Sequence, residues 1–179
     1  PVLDRETIRS RGRRMVSDVH DPRGLVERRT GGSTGEPLVF LASMRDMERQ
    51  MAINVRGFVL AGVHPGDPVA NVWGYGRLRI APNLLAPLTG RLELDSRGAG
   101  PERMDRWLAA LRLHRPVMLY GYAGALAELA DHVQRRGARI PGLEAVCSTA
   151  EKLFPEQRER IARATGARVH DMYGCHEVI

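Results

Sequence analysis

Several things this chain lacks narrow what it can be. It holds two cysteines, Cys147 and Cys175, and no Cys-x-x-Cys pair, which excludes a disulfide framework and leaves reduced thiols as the default. No apolar stretch approaches the roughly 20 residues that cross a bilayer, and no charged-then-apolar leader opens the chain. A cytoplasmic protein without a membrane partner is the expectation. Lysine is almost absent: Lys152 is the only one. A Walker-type phosphate loop, which needs Gly-Lys-Ser/Thr, is thereby excluded from the glycine-rich part of the sequence.

What is present is ordinary for a globular protein. With 179 residues, 43% of them hydrophobic, the chain can bury one sizeable core or a large part of a bigger one. It opens on Pro1 and stops at Glu177-Val178-Ile179, directly after a polar, glycine-containing stretch. Both ends read as cut, so a piece of a larger domain is expected. The net charge of +6 raises the question of nucleic acid, because clustered cations bind phosphates by releasing counterions. Here the arginines are spread through every segment and only Arg11-Gly12-Arg13-Arg14 forms a cluster. The charge is read as a solvated face, with no nucleic-acid partner; a nucleic-acid-binding domain would show steeply salt-dependent affinity.

The second half alternates helix and strand signals. Pro101 suits a first helical position, Glu102 complements the helix dipole, and Met104, Trp107, Leu108 and Leu111 recur at helical spacing. Val117 to Tyr120 reads as a buried strand. A helix from about Ala123 follows, with Leu126, Leu129, Ala130 and Val133 inward and Gly137 as a left-handed stop. Leu143 to Cys147 reads as the next strand. The unit repeats with Pro155 near a helix start, Ile161 and Ala162 inward, Gly166 as the stop and Arg168 to His170 as a strand. Strands joined by such helices pair in parallel and place ligands at their carboxyl ends. The fold class expected is therefore α/β, mainly parallel sheet with flanking helices, and the loops to watch are Ser148-Thr149-Ala150-Glu151 and Asp171 to Glu177. In the first half, a helix capped by Asp4, a longer helix from about Arg45 to Ala61 ended by Gly62 and Pro65-Gly66-Asp67, and a strand from Val69 to Tyr75 are predicted.

The segment Thr30-Gly31-Gly32-Ser33-Thr34-Gly35-Glu36-Pro37 gathers glycines and hydroxyls ahead of the apolar run Leu38-Val39-Phe40. Glycines let successive N–H groups turn toward an anion, and hydroxyls add donors, so a polyphosphate suits it. A flexible surface turn has the same composition. The loop resembles the phosphate-binding signature of the adenylate-forming superfamily, commonly Thr-Ser-Gly-Ser/Thr-Thr-Gly-Lys-Pro. Tyr173-Gly174-Cys175-His176-Glu177 resembles the Tyr-Gly-x-Thr/Ser-Glu motif of the same superfamily, at a fitting distance. Residues 1–9 and Gly121-Tyr122-Ala123-Gly124-Ala125-Leu126 resemble the corresponding segments of phenylacetate-CoA ligases and their capsule-biosynthesis-like relatives.

The resemblance implies part of the large N-terminal domain of an adenylate-forming enzyme, residues 1–179 being its nucleotide-binding portion. The upstream segment and the C-terminal domain with the catalytic lysine are expected to lie outside this chain. In that superfamily a carboxylate attacks the α-phosphorus of ATP, and the acyl-adenylate passes to a thiol, usually coenzyme A. By resemblance Thr30, Gly31, Gly32, Ser33, Thr34 and Gly35 hold the phosphates. Tyr173 stacks on adenine with Asp171 and Gly174 beside it, His176 contacts the α-phosphate, and Glu177 binds Mg²⁺. Thr149, Ala150 and Glu151 fall where relatives line the adenine site, and Trp73 and Tyr75 are candidates for the acyl pocket. ATP, Mg²⁺, coenzyme A and a small carboxylic acid, an aryl acid such as phenylacetate being a guess, are the ligands implied.

Departures stand beside these matches. Glu36 occupies the usual lysine position, where a carboxylate repels a polyphosphate. His176 replaces Thr or Ser, and Lys152 stands where proline is common. Glu36 and His176 motivate an alternative, a ligase homologue that has lost catalysis and serves as a nucleotide-binding or scaffold protein. Cys147, His170, Cys175 and His176 offer a second, a zinc site, although the spacing lacks the usual paired ligands.

Overall fold

In the second half, the alternating strands and helices assemble into one parallel sheet. The computed structural model describes residues 4–29, 37–73, 90–97 and 100–174. Contacts divide the chain into two units, Pro1–Val55 with Cys175–Ile179, and Arg56–Gly174.

The first unit contains α1, Arg5–Arg11, whose first turn is capped as predicted: Asp4 Oδ1 accepts a hydrogen bond from the Thr7 N–H at 2.7 Å. Strands β1, Leu25–Arg29, and β2, Val39–Ser43, pair antiparallel with Leu25 opposite Ser43 and Arg29 opposite Val39. The phosphate-loop candidates Thr30 to Glu36 lie between these strands, outside the described residues. Helix α2, Met44–Leu60, follows β2 directly. Its first turn is set by Ser43 and Asp46, whose hydroxyl and carboxylate are 2.7 Å apart.

The second unit carries β3, Val69–Trp73; β4, Arg91–Asp95; α3, Pro101–His114; β5, Met118–Tyr122; α4, Ala123–Arg135; β6, Ala145–Thr149; α5, Pro155–Thr165; and β7, Arg168–Met172. The strand order is β4-β3-β5-β6-β7 and every pairing is parallel. The helix ends follow the local signals. Pro101 and Pro155 open α3 and α5, and Gly166 closes α5 at φ 69°. Gly137, just past α4, has φ 56°.

One sheet face turns Ala70, Val72, Leu92, Leu94, Leu119 and Val146 into a core with Met104, Trp107 and Leu111 of α3, Leu126, Leu129 and Val133 of α4 and Ile161 of α5. Burying each large apolar side chain there contributes about 1.5–3 kcal/mol. The other face joins Met118, Ala145 and Cys147 to Ala61 and Val63 after α2, with Phe58 packed against them. Polar contacts reinforce the helix layer: ion pairs of Arg103 with Glu128 at 2.8 Å and Arg160 with Asp131 at 3.0 Å, and a hydrogen bond between His132 Nε2 and Asp105 Oδ1 at 2.8 Å.

The strands run about two residues further than the sequence pattern predicted. Tyr122, Thr149 and Met172 end β5, β6 and β7, so Ser148, Thr149 and Asp171, expected in loops, belong to the ladder. Gly121, Ser148 and Asp171 form one cross-strand row. Small and polar residues weaken an apolar strand pattern, but backbone pairing with a neighbour carries the strand through them. Gly121 is required by proximity: a Cβ there would stand 2.2 Å from the Val72 carbonyl oxygen.

Candidate functional site

Chain order puts β4 on one side of β3 and β5 on the other, so the winding reverses between β3 and β5. In open parallel sheets the crevice at the carboxyl ends of such a pair is where ligands bind. Here that crevice is edged by Trp73, the last residue of β3, and Tyr122, the last residue of β5, with ring centroids 4.9 Å apart in an edge-to-face contact. Tyr120 packs against the same Trp73 ring at 5.2 Å, and Phe58 against Tyr120 at 5.0 Å. Trp73, Tyr120 and Tyr122 all remain partly exposed. Burial raises the Tyr120 and Tyr122 phenols above their ordinary range, with the Glu151 carboxylate adding to the rise at Tyr122. Both stay neutral hydrogen-bonding groups at physiological pH.

Next along the edge comes β6, ending in Ser148 and Thr149. Ser148 is fully buried and its hydroxyl has no hydrogen-bond partner among the described residues. The chain then turns sharply. Ala150 adopts a left-handed conformation at φ 64°, rare for a residue with a side chain. Glu151 follows, and its Oε2 accepts a hydrogen bond from the Gly124 N–H at 2.9 Å. Beyond β7, Tyr173 is 96% exposed, so its ring is open to stacking. Gly174 is the last described residue, and Cys175, His176 and Glu177 lie outside the described residues, as does Tyr75. The structure thus gathers Thr149, Ala150, Glu151, Asp171, Tyr173 and Gly174 on the ends and loops of two adjacent strands, and adds Trp73, Tyr120 and Tyr122 from the reversal point.

Sequence reasoning treated Trp73 as a possible pocket residue and passed over Tyr120. The signal for the pair was the alternation Tyr120-Gly121-Tyr122, which puts both rings on one face of a strand. The Glu151 to Gly124 hydrogen bond had no local signal, because 27 residues separate the partners.

Of the four candidate zinc ligands, Cys147 and His170 lie among the described residues and Cys175 and His176 do not. Cys147 and His170 are register partners on β6 and β7, but burial pushes the Cys147 thiol up to about 11. His170 is held below its ordinary value, by burial first and then by Arg168 and Arg158. No group of three or more potential ligands forms among the described residues. No helix among them is long and apolar enough to cross a membrane.

The first unit has an open cavity of about 1140 Å³ between α1 and the β1–β2 pair. Arg5, Arg9 and Arg13 stand along it, with Leu38, Phe40 and Leu41 among its apolar lining.

Comparison with known proteins places this architecture. No family profile matches the sequence and no curated protein does, but solved structures do. A 2-hydroxyisobutyryl-CoA ligase in complex with 2-HIB-AMP and CoA matches with a TM-score of 0.69 at 20% identity, over 96% of this chain and 42% of that one. VinN in complex with L-aspartate matches with a TM-score of 0.58 at 22% identity, over 96% of this chain and 43% of that one. The anthranilate CoA ligase AuaEII in complex with anthranoyl-AMP matches with a TM-score of 0.56 at 21% identity, over 84% of this chain and 29% of that one. The fold is that of part of the N-terminal domain of adenylate-forming enzymes, with a parallel sheet flanked by helices. The chain spans less than half the length of each of these proteins.

Proposed function

We propose that this chain is the nucleotide-binding portion of an ATP-dependent acid–thiol ligase, which joins a small carboxylic acid to AMP with release of pyrophosphate and then passes the acyl group to the thiol of coenzyme A with release of AMP. The observation that carries the reading is the carboxyl edge of the sheet. There the winding reverses, aromatic rings line the crevice, and the motif residues Thr149 to Glu151 and Tyr173 to Gly174 sit on the next two strand ends. Its fold likeness to a 2-hydroxyisobutyryl-CoA ligase over nearly the whole chain supports the class.

In this reading Tyr173 offers its exposed ring to adenine, and the loops after β6 and β7 bound the base. The backbone N–H groups and hydroxyls of Thr30, Gly31, Gly32, Ser33, Thr34 and Gly35 hold the β- and γ-phosphates. His176 donates to the α-phosphate, where negative charge concentrates as the carboxylate attacks. Glu177 is the carboxylate for Mg²⁺, which when bound supplies positive charge against the phosphates. The acid lies against Trp73 and Tyr122, whose rings suit an aryl acid such as phenylacetate. This reading needs a catalytic lysine and further parts of the enzyme beyond these 179 residues, which by themselves are expected to show negligible adenylation.

The test is carboxylate-dependent exchange of labelled pyrophosphate into ATP by the full-length polypeptide, across a panel of aryl and alkyl acids with Mg²⁺. Exchange with one acid class establishes adenylation and names the acid. Its absence across the panel shifts the reading to a non-catalytic nucleotide-binding homologue, the second reading that Glu36 and His176 favour.

A further inference from the structure

Helix α4 begins at the crevice and lacks a cap of its own. Its N-cap residue is Tyr122, which makes no side-chain cap hydrogen bond, and its first turn contains no acidic residue. A helix of this length leaves N–H donors unpaired at its start and favours a negative charge there. Both needs are met from elsewhere in the chain. The Glu151 carboxylate accepts from the Gly124 N–H at 2.9 Å, and it reaches that position because Ala150 turns the backbone through a left-handed conformation at φ 64°. Position 124 is open enough for this contact: even a Cβ there would stand in ordinary contact, 3.4 Å from the Glu151 Oε2. The carboxylate also lies close enough to Tyr122 to disfavour ionisation of its phenol.

We propose that Glu151 is a positioning residue whose carboxylate caps α4 from the loop after β6, and so fixes that loop against the β5–α4 junction beside the ligand. This rests on the ligase reading for the identity of that ligand. Two consequences follow from the geometry. The anion position at the start of α4 is filled by the protein's own carboxylate, so a ligand phosphate is not held there. Glu151 faces α4 rather than the nucleotide, so it acts through the loop and the helix start that it joins. Glutamine can still accept the Gly124 N–H through its amide oxygen, whereas alanine cannot.

The experiment has two arms. In the 179-residue chain, the Gly124 amide resonance is expected to move upfield in Glu151→Ala, which removes its acceptor, and to move much less in Glu151→Gln, which keeps one. Its hydrogen exchange is expected to speed up in Glu151→Ala only. In the full-length protein, pyrophosphate exchange by Glu151→Ala is expected to show a KM for ATP raised about tenfold, the size of one lost helix cap, with kcat much less affected. Glu151→Gln is expected to recover most of that loss. A Gly124 amide indifferent to both variants overturns the cap. An altered amide with an unchanged KM overturns the positioning role. A wild type without any exchange overturns the ligase reading instead, and the Gly124 resonance still decides the cap.

Discussion

Replacing Gly121 by alanine tests the closest approach in the sheet. The added Cβ would lie 2.2 Å from the Val72 carbonyl oxygen, 2.7 Å from the Val72 Cβ and 2.9 Å from its carbonyl carbon. These are atoms of a paired strand, not the end of a flexible side chain, since Val72 is the register partner of Gly121. Relief requires β3 and β5 to part by about 1 Å, given carbon contact distances of about 3.5 Å. Overpacking of this kind costs about 1–3 kcal/mol, and each ladder hydrogen bond stretched or lost adds about 1 kcal/mol. The expected loss is therefore about 3–5 kcal/mol, a large share of a stability of about 5–15 kcal/mol. With a urea slope of about 2 kcal/mol/M, the unfolding midpoint falls by roughly 2 M. Circular dichroism during urea titration of the chain measures it, with Gly124→Ala as the control. There the new Cβ meets only the carboxylate tip of Glu151 at 3.4 Å, and the helical position gains about 0.5–1 kcal/mol from losing glycine. A Gly121→Ala midpoint within about 0.3 M of wild type would refute the argument.

Three further outcomes are expected. Cys147, buried with its pKa pushed up to about 11, should react with iodoacetamide at pH 8 far more slowly in the folded chain than in urea, measured in a Cys175→Ser background. Because folding raises this pKa above its ordinary 9.0, the contribution is fully present below pH 9 and is lost as pH rises through 11, which a Cys147→Ala variant should not show. Ser148→Ala removes a buried hydroxyl without a partner among the described residues and should leave the melting temperature unchanged or raise it by about 2–4 °C, seen by calorimetry; a clear loss would mean the hydroxyl is satisfied. Glu36→Lys should tighten ATP binding about tenfold by calorimetry if residue 36 faces the phosphates, while no change would place its side chain toward solvent.

Much of the second unit was legible because its punctuation is local. Pro101, Pro155 and Gly166 mark helix ends through constraints on their own φ angles, and the inward faces of α3 and α4 follow from helical spacing, which needs no knowledge of the partner. The strand ends were less legible. Whether Gly121, Ser148 and Asp171 belong to strands depends on hydrogen bonds to neighbouring strands, and only pairing across the sheet supplies those. Of the candidate site, Thr149 to Glu151 and Tyr173 were marked by motif residues, whereas the aromatic edge at Trp73 and Tyr122 emerged from strand order.

The sequence by itself determined the α/β class, the parallel strands, the helix limits and the loops in which ligand-binding residues are expected, because periodicity and turn chemistry act over a few neighbouring residues. Tertiary structure alone decided that β4 and β5 flank β3, that the crevice opens beside Trp73 and Tyr122, and that Glu151 caps a helix begun 28 residues earlier at Ala123. Those features depend on the burial of one sheet face under three helices and on contacts between residues far apart in the chain, which no local pattern encodes.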